Sequence, residues 1–108
     1  EAQETVSVNG TITANGGAGT SQRGGGSGGG IYIRCRNFNG STGGVMRANG
    51  GDGGGSGGGG RIAVWGVSHN YAGTASVTNG QNNGFGIGAP GTIVWGYLPT
   101  PGIIFNFK

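Results

Sequence analysis

The stretch Ala48-Asn49-Gly50-Gly51-Asp52-Gly53-Gly54-Gly55-Ser56-Gly57-Gly58-Gly59-Gly60 runs directly into Arg61-Ile62-Ala63-Val64-Trp65-Gly66. Its first half is almost bare of side chains, and its second half is a short run of β-branched and aromatic residues. Both halves recur. Ala14-Asn15-Gly16-Gly17 resembles the opening, and Gly24–Gly30, centred on Ser27, matches Gly53–Gly59, centred on Ser56. Ile93-Val94-Trp95-Gly96 matches Ala63-Val64-Trp65-Gly66, and Thr78-Asn79-Gly80 matches Ala48-Asn49-Gly50. These last two matches share one offset of 30 residues, a period that marks stacked repeat architectures.

Working outward, each unit follows one plan: a strand-like run ending at Asn-Gly, a glycine-rich segment, and a second strand-like run. The units cover residues 6–36, 42–66 and 72–96. Their runs are Val6–Val8, Thr11–Ala14 and Ile31–Cys35, then Val45–Ala48 and Arg61–Trp65, then Ala75–Thr78 and Thr92–Trp95. A final run, Ile103-Ile104-Phe105-Asn106-Phe107, follows as a C-terminal strand. The runs alternate or are β-branched, as strands require, and no window has helical periodicity with caps. Asn-Gly accepts positive φ and is read as a turn. Pro90, Pro99 and Pro101 fall in connections.

The expected fold is therefore all-β: one domain over residues 1–108, a short β-solenoid of about three repeats. A small β-sandwich or jelly roll is the alternative. The glycine tracts lie between strands that must come together, so they are not read as loose linkers. Without side chains they can run extended in polyproline II form, three residues per turn, and bond to one another side by side.

Gly supplies 31 of the 108 residues, and charged residues only 8%. Glycine loses the most backbone entropy on folding and buries no side chain. A small domain already sits near balance at roughly 1.5 kcal/mol per ordered residue. Disorder usually goes with high charge, which is missing, so folding coupled to association is the expectation. Net charge is +3. Arg23, Arg34, Arg36, Arg47 and Arg61 are too few for a surface that tracks phosphates, so no nucleic-acid partner is expected. No apolar run reaches membrane-spanning length. Glu1-Ala2-Gln3-Glu4 reads as a mature end left after removal of a signal peptide, and the expected location is extracellular.

Ile12-Thr13-Ala14-Asn15-Gly16-Gly17, with Gly24–Gly30 leading into Ile31-Tyr32-Ile33, resembles the glycine-rich repeats of large secreted and cell-surface proteins of environmental bacteria, adhesin-like or of parallel β-helix type. Ala48-Asn49-Gly50-Gly51-Asp52-Gly53 running into Gly60-Arg61-Ile62-Ala63-Val64, and Gly88-Ala89-Pro90-Gly91-Thr92-Ile93-Val94, carry the same likeness. The resemblance implies a structural or adhesive role outside the cell, and brings no catalytic residues.

Chemistry needs convergent titratable groups, and the chain has one His, one Cys, one Asp and two Glu. His69 reads as a plain loop residue, Glu1 and Glu4 as residues of a frayed end, and Asp52 as a lone carboxylate in a glycine tract. No enzyme, cofactor or metal is expected. Cys35 is read first as a buried small hydrophobe, with a contact between subunits as the sharper reading. Arg34 and Arg36 alternate around it and should face the opposite side, read first as a solvated strand face, with a site for an anionic glycan or a neighbour's carboxylate as the sharper reading. Trp65 and Trp95 are assigned matching places in successive units, as stacked packing or as a sugar-binding face. A short solenoid has two open ends. Val6 and Val8 at one end, with Ile103, Ile104, Phe105 and Phe107 at the other, are the assembly candidates. The expected function is a self-assembling filament or matrix subunit partnered by copies of itself. An adhesin or glycan-binding module comes second and an ice-binding protein third.

Overall fold

A strand in this chain pairs with the strand one repeat on, never with its neighbour in sequence, and every pairing is parallel. The computed structural model describes residues 4–99. They form three coils of an all-β solenoid. The first coil holds β1 (Thr5–Ser7), β2 (Thr11–Thr13) and β3 (Gly30–Arg34). The second holds β4 (Asn37–Gly40), β5 (Val45–Arg47), β6 (Gly53–Gly55) and β7 (Arg61–Gly66). The third holds β8 (Ser68–Tyr71), β9 (Thr74–Ser76), β10 (Asn82–Gly86) and β11 (Thr92–Tyr97). Stacking the coils gives the sheets β1-β4-β8, β2-β5-β9, β3-β7-β11 and the pair β6-β10. The run Ile103–Phe107 lies outside the described residues.

At one end of each coil, three sheets enclose the core. Side chains alternate along a strand, so parallel in-register pairing stacks like positions into columns. Val6, Phe38 and His69 form one column, and Ile12, Met46 and Ala75 another. Ile31, Ile62 and Ile93 form a third, with Ile33, Val64 and Trp95 beside it. The second coil is covered on both sides, so Phe38, Met46, Ile62 and Val64 are fully buried.

The glycine tracts build an arm that extends from this core, and the molecule measures 63 × 31 × 18 Å. Each coil sends out one leg and returns along another, and the legs bond to each other. Within a coil, Gly26 donates to Gly17 O, Gly29 to Ala14 O, Gly57 to Gly51 O and Gly60 to Ala48 O, at 2.7–2.9 Å or closer. Between coils, Gly16 donates to Asn49 O, Gly19 to Asp52 O, Gly25 to Gly55 O and Gly28 to Gly58 O. Donors recur every third residue along a leg, the repeat of polyproline II. Side chains pin the coils as well. Asn15 Oδ1 accepts from Asn49 N, Asn49 Oδ1 from Thr78 N, and Asp52 Oδ1 from Gln81 N, at 2.7–2.9 Å.

Three expectations change. The Asn-Gly pairs at 15–16, 49–50 and 79–80 are not positive-φ turns, because only Gly84 (φ 109°) and Gly86 (φ 144°) have positive φ among the described residues. Instead, Asn15 and Asn49 lie along the outgoing legs, where their side chains tie one coil to the next. The coils also take in Asn37–Gly40 and Ser68–Tyr71, which the repeat pattern leaves between units. Finally, the shared offset of 30 is the register at neither place. Trp95 faces Val64, and Trp65 faces Gly96. Likewise Gly50 donates to Thr78 O, which sets Asn49 level with Thr78 rather than with Asn79. The third coil spends two more residues from Ser76 to Thr92 than the second does from Arg47 to Arg61. They are absorbed in β10, where Asn82 faces Gly53 but Gly86 already faces Gly55. Gly84 and Gly86 supply the positive φ this bulge needs. The first coil carries three extra residues, taken up by the turn at Thr20–Arg23.

Two measurements check the arm. A Cβ at Gly60 would fall under 3.0 Å from the Gly29 carbonyl, whereas a Cβ at Gly17 meets nothing within 4 Å. Gly60→Ala is expected to lose about 3 kcal/mol in denaturant unfolding, while Gly17→Ala stays within about 1 kcal/mol of the parent. Amide exchange should be slow at Gly25, Gly26, Gly28 and Gly29, and exchange as fast as a free peptide there would overturn the bonded arm.

Candidate functional site

Four inward positions of the third coil, on β8 and β11, carry aromatic rings. β8 delivers His69 and Tyr71, and β11 delivers Trp95 and Tyr97, each pair two residues apart and so on one face of its strand. With Gly73 they line an open cleft of about 390 Å³. Trp95 is 43% exposed and Tyr97 69% exposed.

Two glycines, Gly40 in the coil below and Gly73 beside the ring in the same coil, make room for Tyr71. A side chain at Gly40 or Gly73 would come within 3.0 Å of the Tyr71 ring, so the phenol can lie flat against both. Its hydroxyl donates to Thr74 O at 2.7 Å, and burial pushes its pKa above the ordinary tyrosine value. Phe38 forms the floor, with ring centroids 5.0 Å from Tyr71 and 6.3 Å from both His69 and Trp95. His69 and Tyr97 close one wall at 4.6 Å. His69 Nε2 lies 2.7 Å from the Gly96 carbonyl oxygen, which can only accept, so Nε2 carries the proton. His69 Nδ1 is buried without a partner. This constellation offers stacking faces and shape. Among the described residues no group of three or more His, Cys, Asp or Glu stands close enough to hold a metal ion.

His69 is a strand residue with its ring packed among Phe38, Trp95 and Tyr97, which corrects its reading as a loop residue. Trp65 and Trp95 point to opposite faces of their sheet. Trp95 joins the cleft, and Trp65 lies on the outer face over Gly96, where any side chain would strike its ring. The physical reason is the register: sharing Trp-Gly does not align two strands when the core needs Trp95 above Val64. Cys35 is fully buried in the core cluster, next to the first coil's aliphatic residues. Arg34 is exposed and Arg36 half-buried. Val8 is buried and Val6 packs against the core from the first coil. Ile103, Ile104, Phe105 and Phe107 lie outside the described residues. Sequence reasoning misses Phe38, Tyr71 and Tyr97, and includes Met46 only within the run Val45–Ala48. One coil on from Val6 stands Phe38, and two coils on from Val6 and Val8 stand His69 and Tyr71.

Comparison with protein-family models, with curated proteins and with solved structures gives no significant match. The functional reading therefore rests on this geometry and on the sequence.

Burial pushes the Cys35 thiol above its ordinary pKa, a hydrogen bond from the Val6 backbone partly offsets this, and the Glu4 carboxylate adds to the rise. The folded state thus favours the neutral thiol. That contribution is complete below the ordinary thiol pKa and is lost as pH rises through the raised value. Cys35 should resist a thiol reagent at pH 8 in the native chain and react fully in denaturant, and equal rates in the two states would contradict its burial. Phe38→Ala removes the floor of the cleft and is expected to cost about 3–5 kcal/mol in equilibrium unfolding.

Proposed function

We propose that this chain is an extracellular structural unit that joins copies of itself end to end into a filament or matrix. One observation carries the reading. The same parallel, in-register pairing that adds coil two to coil one and coil three to coil two ends at strands that have no further partner among the described residues: β1, β2 and β3 on one side, β8, β9 and β11 on the other. A strand edge of this kind takes another strand, and a contact between two different faces that does not close into a ring grows without limit. Low charge supports close association, since copies of the chain repel one another little. The resemblance to secreted glycine-rich repeats supports the extracellular setting.

The aromatic cleft supports a second reading, capture of a glycan against Trp95 and Tyr97. Electron microscopy of the purified protein at neutral pH separates the two. Uniform filaments are expected. Discrete particles would overturn assembly, and a saturable change in tryptophan fluorescence on adding sugars would then favour the glycan reading.

A further inference from the structure

The two ends of the solenoid are chemically different, and they match. Between matching legs of the arm, amides donate from one coil to the carbonyl of the coil that follows, except at the tip, where Gly54 donates back to Thr20 O and Arg23 O. Ala14, Gly16, Gly19, Gly25 and Gly28 donate to the second coil, and Ala48, Gly50, Gly53, Ser56 and Gly59 donate to the third. By this sense, Val77, Asn79, Asn82 and Ile87 turn their amides out of the third coil. Thr13, Asn15, Ala18, Gly24 and Ser27 turn their carbonyls out of the first. None of these groups makes a backbone bond across the arm among the described residues. Pro90 stands level with Gly59 and has no amide, so that position forgoes one bond. Two third-coil ends brought together would set donors against donors, and two first-coil ends acceptors against acceptors. Only unlike ends satisfy both sets.

The side chains agree. The third coil ends its columns in His69, Tyr71, Trp95 and Tyr97 around an open cleft of about 390 Å³. The first coil begins the same columns with Val6, Val8, Ile33 and Cys35, all smaller. Large rings with a gap between them fit short aliphatic side chains, as Val6 already fits Phe38 within the chain.

We infer that the occupant of the aromatic cleft is a second copy of this chain, seated by its first coil in the register of the internal coils, with Val6, Val8 and Ile33 over His69, Tyr71 and Trp95. The inference rests on the self-assembly reading and adds to it polarity, register and a socket. It also fixes the spacing. With strands about 4.8 Å apart, three coils advance the filament by about 14 Å per subunit.

Cysteine cross-linking tests it. Ser7, Asn39 and Asn70 stack as one exposed or half-buried column, so Ser7 of an incoming copy falls beside Asn70. Adjacent strands bring Cα atoms within disulfide reach. Ser7→Cys and Asn70→Cys chains, mixed and mildly oxidised, should yield roughly ten-fold more of the mixed dimer than of either like dimer, because only the mixed pair meets this geometry. In parallel, Tyr97→Lys puts a charge into the socket and should raise the critical concentration for assembly roughly ten-fold or more, with subunit unfolding unchanged. Filaments with like-to-like cross-links, with no cross-link, or with normal assembly of Tyr97→Lys would overturn this inference and leave self-assembly standing. Failure of the parent chain to assemble at all would remove both. A monomer whose Trp95 emission is already shielded, and becomes exposed on deletion of residues 100–108, would put the chain's own end in the cleft and overturn the second copy as its occupant.

Discussion

Everything in this molecule depends on how closely two backbones can approach when neither carries a side chain. In the arm, legs pass near enough that a Cβ at Gly16, Gly50, Gly57 or Gly60 would collide with a carbonyl of the facing leg. That proximity lets the amides of one leg find acceptors on the legs beside it, and it replaces the hydrophobic contacts that the composition cannot supply. An arm of ordinary residues would hold its legs about 10 Å apart, as packed sheets are, and would leave this dense net of bonds unmade. The glycine content that looks costly in conformational entropy is what allows the bonds that offset it.

The core end works by the opposite rule. There, columns of Val, Ile, Met and Phe stack by side-chain contact, with the middle coil sealed by its neighbours. The two halves share a register, because β2, β5 and β9 run out into the arm and β3, β7 and β11 take up its returning legs. A slip at either end would therefore break both kinds of contact together. The short side-chain ladders reinforce this. Asn37 takes part in one, linked to Thr5 at 3.3 Å and to Ser68 at 2.7 Å, along the outer edge of β1-β4-β8.

The repeat, the parallel stacking and the extended glycine legs can be read from the chain because Gly24–Gly30 and Gly53–Gly59 copy each other and Ile31, Ile62 and Ile93 recur in strands. The strands β4 and β8 are hard to see. Asn37-Phe38-Asn39-Gly40 and Ser68-His69-Asn70-Tyr71 turn polar residues outward at every second place, and their one or two inward residues differ from coil to coil. The aromatic cleft is hidden for the same reason: His69 and Tyr71 look like loop residues until β8 is recognised. The Trp register misleads because identity between Trp65-Gly66 and Trp95-Gly96 outweighs, to the eye, the two residues that β10 adds between them. Trp95 stands out in the sequence as an aromatic of interest, but the residues that surround it do not.

That bulge in β10 also says something about where the fold tolerates variety. Two residues enter at Asn83–Phe85, and three enter the first coil near Thr20–Arg23, yet β11 still meets β7 residue for residue and β3 does too. Length differences at the far tip of the arm are therefore cancelled before they reach the core. Geometrically, the tip is a permissive site: foreign peptide spliced there would be carried at the margin of the molecule, held out some distance from the columns that define it, and in an ordered array would repeat at the spacing of the subunits.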